Sequence, residues 1–193
     1  MKKRTFLATT LGAAALAPLA RAGEGAKGPR TPALLTITGN IGKPNRGPLD
    51  PVLDQMMAKQ KIKFDKACVF DFAALAAMPA VTIRPTIEYD NKVHTLRGPL
   101  LADVLRAAGV TGDAGKLAMQ AVDGYAPTIS LADARKYRFI VATHMDGQTM
   151  ALGGLGPLWG VYDADRFPDM AAKPVGERFA LCPWALYHID VQA

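Results

Sequence analysis

The residues best suited to chemistry are carboxylates and aromatic rings that stand at glycine-rich turns between apolar segments. Asp123 and Tyr125 flank a glycine after one such segment, and Asp146 precedes a glycine in the next turn. Trp159 and Tyr162 follow a third glycine-rich turn. Loops at strand ends commonly carry ligand-binding groups, and glycine lets a ligand approach the backbone closely. The pattern therefore indicates a ligand-binding site, with ordinary turns and core aromatic residues as the alternative interpretation.

Sequence signatures of hydrolytic and metal-dependent catalysis are missing. Ser130 is the only serine, so a Ser-His-Asp triad has little support, and no nucleophile-elbow, zinc-protease, phosphate-loop or calcium-loop pattern occurs. His94, His144 and His188 are far in sequence from one another and from both cysteines, whereas zinc ligands usually come in closely spaced pairs. The sequence thus favours a binding protein over a hydrolase.

The two cysteines, Cys68 and Cys182, allow two interpretations. In an oxidising compartment they could form a disulfide across a long loop. They could equally be two separate buried thiols, because the sequence does not supply the distance between their Cα atoms. Both alternatives stay open at this point.

The N-terminal segment has the organisation of an export signal. Residues 1–22 contain a basic start, an apolar stretch and a small-residue cleavage site, which predicts a signal peptide followed by a linker over 23–32 and one domain over 33–193. The run from Lys3 to Leu7 resembles a twin-arginine signal. Removal of this segment leaves 19 basic against 17 acidic residues, a net charge of +2. A nearly neutral chain without a basic stripe argues against nucleic-acid binding.

The rest of the chain is composed of short strands with a few helices. Half of the residues are hydrophobic and 21 % are charged, which is enough apolar surface for a globular core. An Asp-Gly pair at 146–147 predicts a hairpin. These patterns predict an α+β fold with a strand-rich mixed or barrel-like sheet. The expected strands are 34–39, 68–70, 81–84, 117–122, 138–143, 148–152, 158–162 and 186–191, and the expected helices are 52–59, 72–78 and one opened by Gly98-Pro99 and closed by Gly109.

The order of these motifs resembles one known family. The strand Leu34–Gly39, the helix ending at Pro79, the Gly98-Pro99 helix start, the Asp123–Tyr125 turn and the Gly156–Trp159 run together resemble the molybdopterin-binding oxidoreductase domain of the sulfite oxidase fold. The resemblance covers residues 33–192 and is to the short, secreted, single-domain branch of that family. It implies the sulfite oxidase catalytic-domain fold.

Two departures from the family's enzymes bear on function. In the enzymes a cysteine thiolate upstream of the helix-opening glycine binds molybdenum, and that position falls at Thr86 here. A threonine hydroxyl cannot replace a thiolate as a soft ligand. The enzymes also carry an arginine where this chain has Trp159, and an aromatic plane suits a flat heterocycle better than an anion. The resemblance therefore implies a pterin pocket without its metal.

The resemblance implies a periplasmic pterin-binding protein that reports its occupancy to the periplasmic domain of a membrane sensor, of the type that controls cyclic-di-GMP turnover. A carboxylate can accept hydrogen bonds from the ring N–H and amino groups of a pterin while an aromatic ring covers the heterocycle. The expected ligand-binding residues are Thr86, Glu88, Asp123, Tyr125, Asp146, Trp159 and Tyr162.

Two other functions remain alternatives. The first is a molybdopterin-dependent oxidoreductase that holds its metal through the cofactor's dithiolene alone, which a twin-arginine signal would favour. The second is a ligand-free periplasmic adaptor whose pocket is filled by side chains such as Trp159 and Met145. Neither catalytic nor metal-ligating residues are assigned for these alternatives.

Overall fold

The structure is a computed structural model that describes residues 31–193. The expected signal peptide over 1–22 and most of the linker therefore lie outside the described residues. In chain order the elements are β1 Ala33–Gly39, α1 Gln55–Lys59, β2 Cys68–Asp71, α2 Phe72–Ala76, β3 Ala80–Ile83, β4 Leu96–Pro99, α3 Leu101–Ala107, β5 Lys116–Ala121, β6 Thr128–Ser130, α4 Leu131–Lys136, β7 Ile140–Ala142, β8 His144–Met145, β9 Gln148–Thr149, β10 Trp159–Val161, α5 Pro168–Ala171, α6 Val175–Arg178 and β11 Leu186–Gln192.

The largest sheet has five strands in the order β2-β1-β11-β5-β6. The two longest strands, β1 and β11, lie side by side and run parallel, with Thr36 opposite His188. The other pairings in this sheet are antiparallel. Because β1 and β11 come from opposite ends of the described chain, their pairing closes the domain.

A second sheet, in the order β3-β4-β8-β9, supports the loops that carry three of the expected site residues, Thr86, Glu88 and Asp146. Strands β8 and β9 form the predicted Asp146-Gly147 hairpin, in which both turn residues have positive φ, 49° and 80°. Two positive φ angles are what a tight two-residue hairpin turn requires. Strands β7 and β10 form a separate antiparallel pair.

The main hydrophobic core contains buried side chains from the five-stranded sheet, α3 and the β7–β10 pair, including Leu35, Leu101, Val141 and Trp159. Asp71 begins α2 as an N-cap, because its Oδ1 accepts a hydrogen bond of 2.7 Å from the Ala74 N–H. The helix matches the one predicted over 72–78 and is two residues shorter at its C-terminal end.

Two expectations about the fold need correction. The chain is a strand-rich α+β fold, as predicted, but its sheets are open and the described residues form no closed barrel. Gly98 and Pro99 end β4 rather than opening the helix, which begins at Leu101. Gly98 is required in the strand because a Cβ there would lie 1.9 Å from the Val141 carbonyl oxygen. Among residues 31–193, no helix is long and apolar enough to cross a membrane.

Candidate functional site

Glu88, Tyr89, Tyr125 and Trp184 form the surface that combines a carboxylate with accessible aromatic rings, and we call these four residues the Glu88 surface. Tyr89 is 53 % exposed and Tyr125 is 48 % exposed. Glu88 is half-buried. A carboxylate beside open aromatic faces is an arrangement that can hold a flat ligand bearing N–H donors.

The electrostatics of the two phenols show that Glu88 is near both. The pKa of Tyr89 is raised to about 12, first by burial of its hydroxyl end, then by the charge of Glu88 and a hydrogen bond with it, while Trp184 opposes the shift. The pKa of Tyr125 is also raised, by burial and then by Cys182 and Glu88. Both phenols are thus affected by burial and by Glu88, while about half of each tyrosine remains exposed.

Glu88 and Tyr89 lie in the loop between β3 and β4, which folds back on itself. Ile87 donates its N–H to the Lys92 carbonyl oxygen at 3.0 Å, and its side chain is buried. His94 donates its N–H to the Pro85 carbonyl oxygen at 3.1 Å. These bonds present Glu88 and Tyr89 at the tip of an ordered loop.

Tyr125 is held in the turn that follows β5. Oδ1 of Asp123 accepts a hydrogen bond of 2.9 Å from the Tyr125 N–H, and the Tyr125 carbonyl oxygen accepts one of 2.8 Å from Ala121. The Tyr125 hydroxyl donates to the carbonyl oxygen of Ala180. The exposed Asp123 therefore acts on the geometry of Tyr125.

Thr86 lies at the base of the β3–β4 loop. Its N–H donates to Oδ2 of Asp165 at 2.7 Å, and Arg178 donates to the other oxygen of the same carboxylate at 2.7 Å. Thr86 is half-buried. The loop is thus fastened to the segment between β10 and β11.

Asp146 lies in the turn of the β8–β9 hairpin, and both of its carboxylate oxygens already have protein partners. Its Oδ2 lies 2.6 Å from Nδ1 of His94, and its Oδ1 accepts a hydrogen bond of 2.9 Å from the Thr95 N–H. Hydrogen bonds with Asp146 and Asp90 raise the pKa of His94. Asp146 therefore joins the β8–β9 hairpin to the loop that carries Glu88.

Trp159 and Tyr162, two of the expected ring covers, lie in the core instead. Trp159 has no exposed surface and Tyr162 is 1 % exposed. The Trp159 indole donates to the Cys182 carbonyl oxygen at 3.0 Å, and the Tyr162 ring stacks on Phe139 with centroids 4.8 Å apart. Neither ring has a face open to a ligand, because strand β10 is buried on both sides.

Both cysteines are free and buried, so the structure has separate thiols rather than a disulfide. Burial raises the pKa of Cys68, and burial raises that of Cys182 well above 9. Cys182 contributes to the raised pKa of Tyr125, and Glu88 contributes to the raised pKa of Cys182. The Cys182 thiol is therefore protonated at neutral pH. No group of three His, Cys, Asp or Glu residues within 31–193 has the geometry to hold a metal ion.

Two residues of the Glu88 surface were not among the sequence predictions. Tyr89 was passed over although it follows Glu88 directly, and its ring lies 6.4 Å from that of Trp159. Trp184 is half-buried and interacts with the Tyr89 phenol. The adjacent Glu-Tyr pair in a turn-forming loop was the available signal for Tyr89.

Comparison with known proteins yields a fold and no family. No family of known sequences matches the chain, and no curated protein matches it. Among solved structures, the chain is similar to the crystal structure of the sulfane dehydrogenase SoxCD from Paracoccus pantotrophus, with a TM-score of 0.56 and 13 % sequence identity. The likeness covers 82 % of this chain and 37 % of that chain, so this protein spans well under half of the neighbour's length. The chain therefore has a molybdopterin-oxidoreductase-like fold, and the similarity is distant.

Proposed function

We propose that this protein binds a free pterin at the Glu88 surface, without molybdenum, and passes the occupancy of that site to a membrane sensor protein in the periplasm. The observation that carries the proposal is the Glu88 carboxylate beside the half-exposed rings of Tyr89 and Tyr125. The role expected for Trp159 passes in this proposal to the two exposed tyrosines.

The chemistry of a pterin suits these groups. The two oxygens of a carboxylate accept hydrogen bonds from the ring N–H and the amino group at the same time, and charge-assisted hydrogen bonds are stronger than neutral ones. A phenol ring can stack on the bicyclic heterocycle. Because the Tyr125 hydroxyl donates to the Ala180 carbonyl oxygen, little side-chain entropy is lost when a ligand contacts the Tyr125 ring.

Neither cysteine fits as a ligand for a molybdenum ion at this surface. Cys182 is the nearer one, but its side chain is buried beneath this surface rather than open to it, and burial raises the pKa of its thiol. Cys68 is buried on β2 in the other sheet. Thr86 offers a hydroxyl in place of a thiolate. We therefore propose recognition of the heterocycle rather than oxo-transfer as the function of this surface.

The proposed partner is the periplasmic domain of a membrane sensor, with cyclic-di-GMP turnover as the class of signal. The β3–β4 loop and the turn at Tyr125 would form the surface that changes on ligand binding, because both contribute to the site. Export to the periplasm is part of the proposal and rests on the sequence pattern of residues 1–22.

Calorimetric titration with biopterin and tetrahydrobiopterin tests the proposal. We expect saturable binding to the wild type and at least a tenfold loss of affinity in Glu88→Gln. Asp65→Asn is the control, because Asp65 is an exposed carboxylate in the loop before β2, and it should bind as the wild type does. Absence of binding for oxidised and reduced pterins alike would contradict the proposal and favour a ligand-free adaptor.

The alternative function is a molybdopterin-dependent oxidoreductase, which the similarity to a sulfane dehydrogenase favours at the level of fold alone. Metal analysis of protein exported by its native host separates the two. Stoichiometric molybdenum in that preparation would contradict the pterin-only proposal, whereas a bound pterin without molybdenum supports it.

A further inference from the structure

A cavity lies beside β3 and is lined by none of the residues of the Glu88 surface. Its volume is about 340 Å³, within the range of small-molecule sites. Strand β3, the end of α4 and the segment after β10 surround it. The lining residues are Val81, Ile83, Tyr137, Arg138, Asp163, Arg166 and Phe167.

Asp163 brings a buried carboxylate to this cavity. The residue is 8 % exposed, and its Oδ2 accepts one hydrogen bond of 3.2 Å from the Arg84 N–H. Its Oδ1 is buried and accepts no hydrogen bond from any residue in the described part of the chain. An ionised carboxylate can accept about four hydrogen bonds, and burying one with so few donors is unfavourable. Oδ1 has no surface that a ligand could reach, but Asp163 lines the cavity and its Oδ2 has a single donor, so Oδ2 is the acceptor offered to a ligand.

Two arginines of the same cavity have unpaired guanidinium groups. Arg138 and Arg166 are exposed, and neither side chain forms an ion pair or hydrogen bond with another residue of 31–193. Arg138 also has a φ of 53°, a left-handed conformation that favours glycine or asparagine after a helix. The cavity thus combines two available cations with one buried anion.

The remaining walls are apolar and aromatic. The rings of Tyr137 and Phe167 meet edge to face, with centroids 5.2 Å apart and an interplanar angle of 87°. Val81 and Ile83 contribute aliphatic surface from β3. The Tyr137 hydroxyl donates to Asp169 at 2.7 Å, which fixes the ring. These walls suit an apolar side chain.

We propose that this cavity binds a small zwitterion, an α-amino acid with an apolar side chain. Its ammonium group would donate to Asp163, its carboxylate would accept from Arg138 and Arg166, and its side chain would contact Tyr137 and Phe167. A ligand with only an anion would leave the Asp163 carboxylate unsatisfied, and one with only a cation would leave the arginines unused. The proposal does not depend on pterin binding.

Calorimetry with three related probes tests the proposal: L-phenylalanine, 2-phenylethylamine, which lacks the carboxylate, and 3-phenylpropanoate, which lacks the ammonium group. We expect L-phenylalanine to bind and each truncated probe to bind at least tenfold more weakly. No saturable binding of L-phenylalanine, or equal binding of all three probes, would overturn the proposal.

Variants connect the binding to this cavity. Arg166→Gln should weaken L-phenylalanine binding at least tenfold, whereas Arg97→Gln, an exposed arginine on β4, should leave it unchanged. Asp163→Asn should also weaken L-phenylalanine binding. Because Asp163 is buried, this variant could fail to fold, and the exposed Arg166→Gln variant then decides the test. Glu88→Gln should bind L-phenylalanine as the wild type does. Unchanged affinity in Arg166→Gln would place the ligand elsewhere and overturn the proposal.

Discussion

Nδ1 of His94 lies 2.6 Å from Oδ2 of Asp146, and this contact joins the β3–β4 loop to the β8–β9 hairpin across 52 residues of sequence. Nε2 of the same imidazole lies 3.1 Å from a carboxylate oxygen of Asp90. Carboxylate oxygens accept hydrogen bonds, so an imidazolium that donates from both nitrogens satisfies both partners. The protonated histidine therefore fastens the loop that carries Glu88 and Tyr89.

This contact predicts a specific dependence of stability on pH. The pKa of His94 is raised by its hydrogen bonds with Asp146 and Asp90. The stabilisation that His94 gives the folded state is therefore complete below its pKa in the unfolded chain, about 6.5, and is lost as pH rises through its pKa in the folded protein. The pKa values of Asp146 and Asp90 are lowered, chiefly by hydrogen bonds with His94. The stabilisation that these carboxylates give the folded state is therefore lost as pH falls below about 4. The contact should be strongest between these limits.

Thermal unfolding of His94→Gln across pH 4 to 9 measures that dependence. The difference in Tm between the wild type and the variant should be largest near pH 5 to 6 and should shrink toward pH 9. His144→Gln, on β8, controls for loss of an imidazole elsewhere in the same sheet. A difference that grows with pH would contradict the arrangement.

Thr38 is predicted to be essential for a buried chain of hydrogen bonds in the five-stranded sheet. Its hydroxyl donates to Oδ1 of Asp190 at 3.0 Å, so its oxygen must accept from Nε2 of His188 at 2.9 Å. Thr38→Val keeps the shape but leaves the imidazole N–H without an acceptor, which should lower the free energy of unfolding by about 1–3 kcal/mol. Urea denaturation measures the loss, and Thr38→Ser should retain most of the stability.

The same chain predicts that His188 stays neutral in the folded protein at mildly acidic pH. Burial lowers its pKa to about 4, despite the opposing charge of Asp190. Between about pH 6.5 and pH 4 the unfolded state binds a proton here that the folded state does not, so His188 destabilises the protein as pH falls. NMR of the imidazole carbons should show His188 unprotonated at pH 5.5 while His94 is protonated. An imidazolium signal for His188 at that pH would contradict its burial.

The sequence predicted most of the elements because local signals agreed with the tertiary structure. Asp71 is an N-cap whose carboxylate accepts a hydrogen bond from the N–H of Ala74, three residues further along the chain. Asp146 and Gly147 form a hairpin turn with the positive φ angles that an Asp-Gly pair favours. Gly98 does not open a helix as predicted, because its role is tertiary: the Val141 carbonyl oxygen approaches it from another strand. Sequence spacing carries no information about that approach.

The sequence predicted only some of the residues that form the Glu88 surface, for the same reason. Glu88 and Tyr125 are placed near a common surface, whereas Trp159 and Tyr162 are buried. The sequence pattern of an aromatic residue in an apolar strand is the same whether the ring packs in the core or covers a ligand. The buried Asp163 gave no sequence signal at all, because an Asp after a strand usually stands at the surface.

Substitution of Trp159 should destabilise the protein more than substitution of a residue of the Glu88 surface, because Trp159 is in the core. Because the side chain has no exposed surface, Trp159→Ala should lower the free energy of unfolding by about 3–5 kcal/mol, the usual cost of truncating a buried aromatic residue. Tyr125→Ala removes an exposed ring and should cost much less. Denaturant unfolding of both variants checks this order, and equal losses would contradict the burial of Trp159.

Gly98 gives a test of how closely β4 and β7 approach. A methyl group at this position would lie 1.9 Å from the Val141 carbonyl oxygen, so Gly98→Ala forces the backbone apart. Forced overpacking of this kind typically costs about 1–3 kcal/mol or more. Gly47→Ala, where nothing lies within 4 Å of the added carbon, is the matched control and should leave the Tm nearly unchanged.

The state of Cys182 bears most directly on whether this protein uses a metal. Burial raises the pKa of its thiol well above 9, and the thiolate is the reactive and metal-binding form. We expect the folded protein at pH 7.5 to resist labelling by iodoacetamide at both cysteines and to label twice after denaturation without a reductant. Rapid labelling of folded Cys182, with Cys182→Ala as the control that identifies the site, would show a thiolate next to Glu88. Such a thiolate would restore the soft donor that Thr86 lacks, and the oxidoreductase alternative would then be the better account.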